Sequence, residues 1–392
     1  MQKIIIKKGR ERSMINRHPW IYSGAIQTMP EAELGEILSI YSFDNRLIGY
    51  GFYAPGTQIV SRVFEYTNKE TDVLSQAYWT DKFKKAFNIR RRFIISEQTN
   101  AYRLINAEGD FFPGLIADVY KDTVVLQLLI KGVEKILDFI LVALKELGFE
   151  KVYLKAKDVA GRLENVEHKK DWLSTKKGDT QIEIVENGVK FWVDIESGQK
   201  TGFFIDQRDA RQLIKRYSKN AKVCNTFSYS GGFSLYALNA GAEIVHSVDS
   251  SKTAVQLIEK NLVLNNIAPE RHQSYTEDVF KFLKNTENKY DLIVLDPPAF
   301  AKTAKAVPNA TRGYKELNLI AFRKINPGGI VFTFSCSQKI TRDLFRKIVF
   351  GAAADAGRNI RILHQTTQPL DHPINIYHPE NEYLKGLILY VE

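Results

Sequence analysis

The sequence of 392 residues has little sulfur, with only two cysteines, Cys224 and Cys336. Two thiols cannot build a disulfide framework or a thiolate zinc site, so a disulfide-stapled secreted domain is excluded and a reducing compartment is favoured. The seven histidines show no metal-ligand spacing such as HExxH. We therefore expect no metal.

Long hydrophobic runs are also missing. The apolar stretches 124–130 and 136–144 fall well short of the roughly 18 residues that suggest a membrane span. The amino-terminal residues contain no apolar run of signal-peptide length. We expect a soluble, cytoplasmic protein without membrane contact.

The overall composition is that of a globular protein, with 44% hydrophobic and 26% charged residues. The length suggests two to three domains. Lys and Arg number 55 against 45 Asp and Glu, which gives a net charge of +10. This excess favours a polyanionic partner, although many basic proteins have none, so charge alone leaves nucleic acid binding open.

The chain divides into three blocks. Residues 1–70 contain short strand-like runs separated by turn signals, which predicts a small β-barrel-like module. Residues 71–188 mix helices and strands and contain Asn187-Gly188, a strong hairpin signal. In residues 189–392 strands and helices alternate regularly, which predicts a mostly parallel sheet with right-handed crossovers.

Polar side chains lie at or just beyond the ends of the predicted strands of this third block. Ligands of parallel sheets bind beyond the carboxyl ends of the strands. Asp and Asn at such positions can also simply cap the following helices, but a complete set favours a binding edge. The set comprises Asn225, Asp249, Asp278, Asp296 and Cys336.

The segment from Asn225 to Ser234 joins a strand to a helix and contains Gly231 and Gly232. It matches neither GxGxxG nor GxxxxGK(S/T), so P-loop nucleotide hydrolysis is disfavoured. Free amides at a helix start attract an anionic group, and Asp249, about 20 residues further on, is placed to bind ribose hydroxyls. The pattern favours an adenosine-containing cofactor, and the alternative is a tight turn without a ligand.

Asp296-Pro-Pro-Ala-Phe300 is a second candidate loop. Two prolines stiffen it and hold the Asp296 carboxylate at the sheet edge, where a carboxylate or carbonyl can accept from the amine of a heterocycle. The aromatic ring of Phe300 is suited to stacking on a base. The alternative is a rigid loop with a buried Phe300.

Phe332-Thr-Phe-Ser-Cys-Ser337 places a lone thiol, Cys336, at the end of an apolar strand. Free cysteine is often plain core, and we interpret Cys224, inside another strand, in that way. Beside the two candidate loops, the Cys336 thiolate is suited to add to carbon 6 of a pyrimidine, which makes carbon 5 nucleophilic.

Basic residues form two clusters interleaved with aromatics, a pattern that fits phosphate contact with base stacking. The alternative for each is an ordinary solvated face. The first comprises Lys3, Lys7, Lys8, Arg10, Arg12 and Arg17, next to His18-Pro-Trp-Ile-Tyr22, and the second Lys82, Lys84, Lys85, Arg90, Arg91, Arg92 and Arg103.

Together these segments resemble the bacterial large-subunit ribosomal RNA cytosine-carbon-5 methyltransferases that carry an amino-terminal PUA domain. The resemblance covers nearly the whole chain. Asp-Pro-Pro-x-Phe alone is similar in guanine-amine methyltransferases of rRNA, and Phe-Ser-Cys-Ser separates the two chemistries. The segments are Gly9-Arg10, His18-Pro-Trp20, Ser23-Gly24, Gly198-Gln-Lys-Thr-Gly202, Asp206-Gln-Arg208, Phe227-Ser-Tyr-Ser-Gly-Gly-Phe233, Asp296-Pro-Pro-Ala-Phe300, Arg312-Gly-Tyr314 and Phe334-Ser-Cys-Ser337.

The resemblance implies an α/β protein that uses S-adenosylmethionine. A PUA module at 1–70 precedes a middle α+β domain of β-β-α-β-β type at 71–188 and a Rossmann-like methyltransferase domain at 189–392. Carried over by position, residues take these roles: Asn225, Phe227, Tyr229, Ser230 and Gly231 line the methionine end, Asp249 holds the ribose, Asp278 lies near the adenine amine, Phe204 and Gln207 close the pocket, and Cys336 is the nucleophile.

We therefore predict methylation of carbon 5 of a cytosine in 23S rRNA, with that rRNA or a large-subunit precursor as partner. The Cys336 thiolate adds to carbon 6, Asp296 supports the base at its ring nitrogen or amine, and carbon 5 takes the methyl group. The target base must be unstacked. The predicted substrate contacts are Pro297, Pro298, Phe300, Lys8, Arg10 and Arg17.

The sequence departs from related enzymes at Ala299 and Phe300, where many RNA cytosine-carbon-5 enzymes carry a second cysteine. The groups that assist product release and remove the carbon-5 proton are therefore unassigned. Family relatives also suggest a homodimer. Two other functions stay open: methylation of a guanine exocyclic amine (N2) through the Asp296 loop with Cys336 as packing, and a non-catalytic rRNA-binding assembly factor.

Overall fold

The computed structural model describes residues 1–155 and 170–392. Contacts along the chain group it into two compact units. No helix in the described residues is both long enough and apolar enough to cross a bilayer. The first unit comprises Met1–Ile184, Val193–Ile205 and Leu370–Asn381, and the second comprises Val185–Trp192, Asp206–Pro369 and Glu382–Glu392.

The amino-terminal part of the first unit is a six-stranded sheet, as its strand-like runs predict. Its elements are β1 (Lys3–Ile6), α1 (Arg12–Ile15), β2 (Trp20–Tyr22), β3 (Ile26–Thr28), β4 (Ile37–Tyr41), β5 (Leu47–Tyr53) and β6 (Ile59–Tyr66). The strand order is β2-β6-β5-β4-β1-β3. Of the neighbouring strands in this described sheet, β1 and β4 pair in parallel and the others are antiparallel. Alternate residues such as Ile4, Ile6, Leu38 and Ile40 fill its core.

A five-stranded sheet follows, in which the strands lie side by side in the reverse of their sequence order. Its elements are α2 (Gln76–Phe93), β7 (Ala101–Asn106), β8 (Leu115–Tyr120), β9 (Thr123–Leu128), α3 (Lys131–Lys135), α4 (Leu137–Glu146), β10 (Lys151–Leu154) and β11 (Asp171–Trp172). The sequence predicts one helix over residues 133–147, ended by Gly148, but the structure has two shorter helices instead. Ile136, at φ −106° and ψ 14°, leaves helical geometry and separates α3 from α4.

Two of the seven residues of the predicted second basic cluster, Arg90 and Arg103, are buried, and for these two the prediction of nucleic acid contact was wrong. The Arg90 side chain is fully buried and donates to both carboxylate oxygens of Asp110, at 2.5 and 2.7 Å. Arg103 donates to both oxygens of Asp118, at 2.7 and 2.9 Å. Thr201 donates to the same Asp118 at 2.6 Å. These arginines therefore hold the unit together and do not face a nucleic acid.

The predicted hairpin is confirmed between β12 (Gln181–Glu186) and β13 (Val189–Asp194). Its turn residues, Asn187 and Gly188, have φ values of +49° and +80°. Both central residues of such a two-residue turn need positive φ, which explains the Asn-Gly pair.

The second unit is built on a seven-stranded sheet that confirms the predicted mostly parallel architecture. All neighbouring strands are parallel except the last in the sequence, β20, which is antiparallel to both of its neighbours. The strands are β14 (Lys222–Thr226), β15 (Ile244–Asp249), β16 (His272–Thr276), β17 (Tyr290–Leu295), β18 (Ile325–Ser335), β19 (Ile360–Thr366) and β20 (Lys385–Val391).

The helices of the second unit follow the alternation that the sequence predicts. The sequence predicts a helix over residues 313–325, but the helix begins earlier, at Val307. Pro308 lies in its first turn, where proline is favoured. The helices are α5 (Arg208–Ile214), α6 (Gly232–Asn239), α7 (Lys252–Leu264), α8 (Val279–Asn285), α9 (Val307–Lys324) and α10 (Arg342–Ala356).

The sheet order, β16-β15-β14-β17-β18-β20-β19, fixes where a ligand can bind. From β14 the chain continues to β15 on one side and later to β17 on the other. This reversal creates a crevice beyond the carboxyl ends of β14 and β17, the usual ligand position of such sheets. We call this edge of the sheet the carboxyl edge.

Candidate active site

The loop between β14 and α6 has an unusual backbone. Phe227, Tyr229 and Gly231 have φ values of +52°, +45° and +75°. Each non-glycine residue in this region costs about 1–3 kcal/mol and persists only where the surroundings impose it. The positive φ of Gly231 favours glycine, and a Cβ atom there would also crowd the Ile258 side chain at 3.2 Å. Strain of this kind is concentrated at binding sites.

Asp249, the last residue of β15, holds this loop. One of its carboxylate oxygens accepts from the Tyr229 amide at 2.9 Å, and the other accepts from the Ser251 amide at 2.9 Å. A carboxylate oxygen can accept more than one hydrogen bond. The half-buried carboxylate is therefore fixed at the carboxyl edge and keeps the capacity to accept from ribose hydroxyls.

Two other predicted cofactor residues have partners inside the protein. The Asn225 amide is buried in β14 and donates to Ser234 Oγ at 2.8 Å, which ties the strand to α6. Asp278 is the N-cap of α8, and its carboxylate accepts from the Lys281 amide at 3.0 Å. The helix-capping alternative thus describes what Asp278 does within the chain.

Two buried polar atoms of the second unit, one in the strained loop and one on the residue that donates to Asp296, lack a hydrogen-bond partner among the described residues. They are Ser228 Oγ and Gln207 Oε1, on side chains that are 6% and 2% exposed. Buried polar groups are normally paired, so these two atoms fit a polar ligand such as the adenosine and amino-acid groups of S-adenosylmethionine. Ser230 is also buried, and its carbonyl accepts from Asn261.

Phe204 and Gln207 fall in different compact units. The Phe204 ring lies under the Lys200 ammonium, 4.4 Å from the ring centroid. Gln207 precedes α5 and donates from its side-chain nitrogen to Asp296 Oδ1 at 2.9 Å. The pocket-closing role of both residues stays a prediction, whereas the contact between Gln207 and Asp296 was not foreseen.

The Asp296 loop leaves the carboxyl end of β17. Pro297 is buried, Pro298 is exposed, and Asp296 is half-buried. The Phe300 ring packs at 4.7 Å against the buried Tyr314 ring, which matches the packing alternative for that side chain.

Cys336 follows β18 directly, and its half-buried thiol lies 3.9 Å from the Pro297 carbonyl oxygen. The carboxyl edge thus brings together the lone thiol and the Asp-Pro loop, which are separated along the sequence. Cys224 is fully buried in β14, and burial raises the pKa of its thiol far above the usual range. Cys224 is therefore packing, as predicted.

The serines that flank Cys336 are fixed by one tyrosine. Ser335 Oγ donates to the Tyr314 hydroxyl at 3.0 Å, and the same hydroxyl lies 3.0 Å from Ser337 Oγ. Ser337 in turn accepts from the Ala301 amide at 3.1 Å. These contacts hold the backbone of the thiol loop against the Asp296 loop.

Lys385 is a residue of this site that sequence reasoning missed. It is 3% exposed at the start of β20, and its ammonium donates to the carbonyls of Ser337 and Tyr383 at 2.8 and 2.7 Å. Burial lowers its pKa to about 8, and the negative charge of a Cys336 thiolate opposes that shift. The available signal was a lysine at the head of an apolar strand.

The predicted RNA contacts of the first unit lie on its surface. Lys8, Arg10 and Arg17 are exposed. The Lys8 ammonium lies 5.5 Å from the centroid of the Phe43 ring, which is 44% exposed. A cation beside an exposed aromatic ring is suited to bind phosphate and a stacked base together.

Known proteins resemble this chain throughout its length. Residues 157–367 match the S-adenosylmethionine-dependent methyltransferase family, and residues 4–66 match the PUA-like domain family. The ribosomal RNA large subunit methyltransferase I of Aeromonas salmonicida is 41% identical over 393 residues, and that of Enterobacter sp. is 38% identical over 389 residues. Each alignment covers 98% of both chains. The chain belongs to the ribosomal RNA large subunit methyltransferase I family.

Solved structures with this fold include SMU.776, a methyltransferase in complex with SAH, with a TM-score of 0.86 and 24% identity. Another is an S-adenosylmethionine-dependent methyltransferase from Streptococcus mutans, with a TM-score of 0.84 and 24% identity. Both alignments cover 100% of each chain. They confirm the fold along the full length.

Membership of the family confirms the predicted fold class and cofactor. The six-stranded sheet is the PUA-like domain, and the seven-stranded sheet is the Rossmann-like methyltransferase domain. The cofactor is S-adenosylmethionine. The domain boundaries at 70 and 188 stay predictions, as do the roles of the individual site residues.

Proposed function

We propose that this family member methylates carbon 5 of a cytosine in 23S ribosomal RNA. The observation that carries the proposal is the half-buried Cys336 thiol at the carboxyl end of β18, 3.9 Å from the carbonyl of Pro297. A nucleophilic sulfur and the carboxylate of the Asp-Pro loop can then engage one ring.

In the proposed reaction the Cys336 thiolate forms a bond to carbon 6, and the electron pair of the 5,6 double bond moves to carbon 5. S-Adenosylmethionine, when bound, would supply an electrophilic sulfonium methyl group for that carbon; its sulfur–methyl bond would break, and S-adenosylhomocysteine would leave. Loss of the carbon-5 proton then restores the double bond, breaks the sulfur–carbon bond and returns the thiolate. Each turnover therefore regenerates Cys336.

Lys385 supports the charged form of the nucleophile in this scheme. Its buried ammonium binds the Ser337 carbonyl, in the residue next to Cys336. A cation close to a thiol stabilises the thiolate, which is the reactive species. With a pKa of about 8, Lys385 is mainly protonated at neutral pH.

Asp296 orients the base. Its carboxylate accepts from Gln207 at 2.9 Å, which limits its rotation at the carboxyl edge. A fixed carboxyl group can hydrogen-bond to the ring nitrogen or exocyclic amine of cytosine and stabilise charge that develops on the ring during thiolate addition.

The target is delivered as an unstacked base. Bases within an RNA helix are inaccessible to attack on carbon 6, so single-stranded or flipped nucleotides are required. The exposed Lys8, Arg10 and Arg17 and the PUA-like domain provide phosphate contacts for 23S rRNA or a large-subunit precursor. These contacts supply affinity, whereas the carboxyl edge selects the base.

A trapping experiment tests the proposal. The full chain is incubated with S-adenosylmethionine and 23S rRNA transcribed with 5-fluorocytidine. After methyl transfer, fluorine at carbon 5 cannot leave as a proton does, so the bond between Cys336 and carbon 6 should persist. We expect a protein–RNA complex that survives denaturing gel electrophoresis.

Mass spectrometry of nucleosides from ordinary rRNA identifies the product. We expect 5-methylcytidine. Formation of N2-methylguanosine with no trapped complex would favour the exocyclic-amine reaction, in which Cys336 only packs. Absence of any methylated nucleoside, together with no binding of S-adenosylmethionine in calorimetry, would favour the assembly factor.

A further inference from the structure

Three side chains with metal-binding atoms meet in the first unit, outside the candidate active site. His18 lies between α1 and β2, whereas His378 and Glu380 lie in Leu370–Asn381. One Glu380 oxygen is 3.7 Å from His18 Nε2 and 3.6 Å from His378 Nε2. The potential ligand atoms of all three residues lie within 4.8 Å of one another.

The buried imidazole of His378 has ring nitrogens that a ligand could bind. Its side chain is 2% exposed, and neither ring nitrogen has a hydrogen-bond partner among the described residues. The 3.6 Å separation from Glu380 is too long for a direct hydrogen bond. Buried polar groups in native proteins are nearly always satisfied, so an imidazole buried in this state requires an explanation.

The surrounding residues hold both imidazoles in place. The His378 ring packs against Trp20 with centroids 4.3 Å apart, and Trp20 Nε1 donates to Glu108 at 2.9 Å. His18 Nδ1 lies 3.2 Å from the Trp20 amide nitrogen and 3.4 Å from its carbonyl oxygen. With its proton on Nδ1, His18 donates to the Trp20 carbonyl oxygen, and its Nε2 can then bind an ion on the side of Glu380. Metal-binding histidines are commonly oriented in this way.

We propose that His18, His378 and Glu380 form a binding site for a divalent metal ion with the ligand preferences of zinc. Two imidazole nitrogens and one carboxylate oxygen are a ligand set that zinc accepts, and water can complete four-coordination. Ligand atoms around tetrahedral zinc lie about 3.3 Å apart. The distances to Glu380 are only slightly longer, and its half-exposed side chain can move to close the site.

The metal would connect two parts of the first unit that are remote in sequence. His18 belongs to the amino-terminal sheet region, and the other two ligands belong to Leu370–Asn381. An ion that binds only the folded unit stabilises it and holds this segment in place. Sequence spacing gave no sign of the site, because no two of its histidines are close together in the chain.

The test uses the full chain after treatment with a chelator. Zn²⁺ is titrated in by calorimetry, and Co²⁺ is titrated while its visible absorption is followed. We expect one equivalent of each ion, with intense tetrahedral Co²⁺ bands and a higher melting temperature. His378→Ala and Glu380→Gln should each weaken binding at least about tenfold.

His364→Ala is the matched control. His364 is a half-buried histidine of β19 that contacts the Tyr217 hydroxyl at 2.7 Å, and its loss should leave the affinity unchanged. Glu380 is 46% exposed, so Glu380→Gln should keep the melting temperature of the metal-free protein. The proposal is overturned if the stripped protein binds neither ion, or if binding survives both site variants.

Discussion

The buried polar groups of the two compact units differ in how they are arranged. The first unit contains two bidentate ion pairs, Arg90 with Asp110 and Arg103 with Asp118, whose charged groups are hydrogen-bonded to each other. At the carboxyl edge of the second unit, the buried or half-buried groups belong to loops that follow strands and include a thiol. The comparison teaches that a buried polar group whose hydrogen bonds are satisfied within the chain is structural, whereas one at the end of a strand or without a partner is a candidate for binding or chemistry.

The second unit also contains a closed pair of the first kind. Arg211 donates to both carboxylate oxygens of the buried Glu186, each at 2.7 Å, and the Tyr236 hydroxyl donates to the same carboxylate. The difference is therefore between closed networks, meaning buried ion pairs satisfied within the chain, and the groups at the carboxyl edge. It does not depend on the type of residue. Four predictions test this difference, in order of decreasing effect.

Loss of the thiol at the carboxyl edge should have the largest effect. Cys336→Ala removes the nucleophile, so we expect methyl transfer to fall by at least about a thousandfold. Binding of S-adenosylmethionine, measured by calorimetry, should persist. Cys224→Ala removes the other, fully buried thiol and should retain transfer activity. A Cys336→Ala enzyme with an unchanged rate would falsify the covalent route.

Opening a closed network should cost stability. Asp118→Ala leaves the Arg103 guanidinium buried without its carboxylate, and such a change costs about 3–5 kcal/mol of unfolding free energy. Urea denaturation measures the loss. The control is Asp122→Ala, which removes a carboxylate 58% exposed and paired with Lys151, where the expected cost is at most about 1 kcal/mol. Equal losses of unfolding free energy for Asp118→Ala and Asp122→Ala would contradict the distinction between a closed network and a surface ion pair.

Lys385 should link stability to pH. Its pKa is about 8 in the folded protein and about 10.4 in an unfolded chain. Between these values the unfolded state binds more protons, so this residue makes the protein more stable as pH rises. Lys385→Met removes that contribution. The wild-type unfolding free energy minus that of the variant should therefore increase from pH 8 to 10.4. A flat difference would place Lys385 in a solvated environment.

The smallest effects are expected on the RNA-binding surface. Single replacements of Lys8, Arg10 or Arg17 by Ala should weaken rRNA binding modestly. Each lost phosphate contact lowers the slope of log affinity against log salt by about 0.7–0.9. Filter binding at several salt concentrations measures it. Lys347→Ala is a charge-matched control, because Lys347 is 71% exposed and pairs with Asp343 on the same helix. If Lys347→Ala lowered the salt slope as much as the other variants, Lys8, Arg10 and Arg17 would not form a specific RNA-binding surface.

Much of the fold could be predicted because local signals agreed with it. The alternation of strands and helices in residues 189–392 predicted the mostly parallel sheet, and Asn187-Gly188 predicted the hairpin, whose two turn residues have positive φ. The start of α9 was missed because Pro308 looks like a helix breaker until it is placed in the first turn. The break at Ile136 depends on backbone angles that no residue type announces.

The site was predicted where its residues follow strands in sequence order. Cys336 and Asp296 lie next to each other for that reason, since neighbouring parallel strands end at the same edge. Lys385 could not be found this way, because it belongs to an antiparallel strand and approaches from the opposite chain direction. Arg90 and Arg103 were misassigned because composition cannot distinguish a paired buried guanidinium from an exposed one.

The position of β20 has a consequence for the order in which the sheet folds. This strand lies between β18 and β19 in the sheet but follows both in the chain. In the described sheet β19 therefore has no neighbour until β20 inserts. Lys385 begins β20, so its ammonium binds the Ser337 carbonyl, in the residue next to Cys336, only once β20 has inserted. Closure of the sheet and placement of a buried positive charge beside the candidate nucleophile are therefore one step of folding.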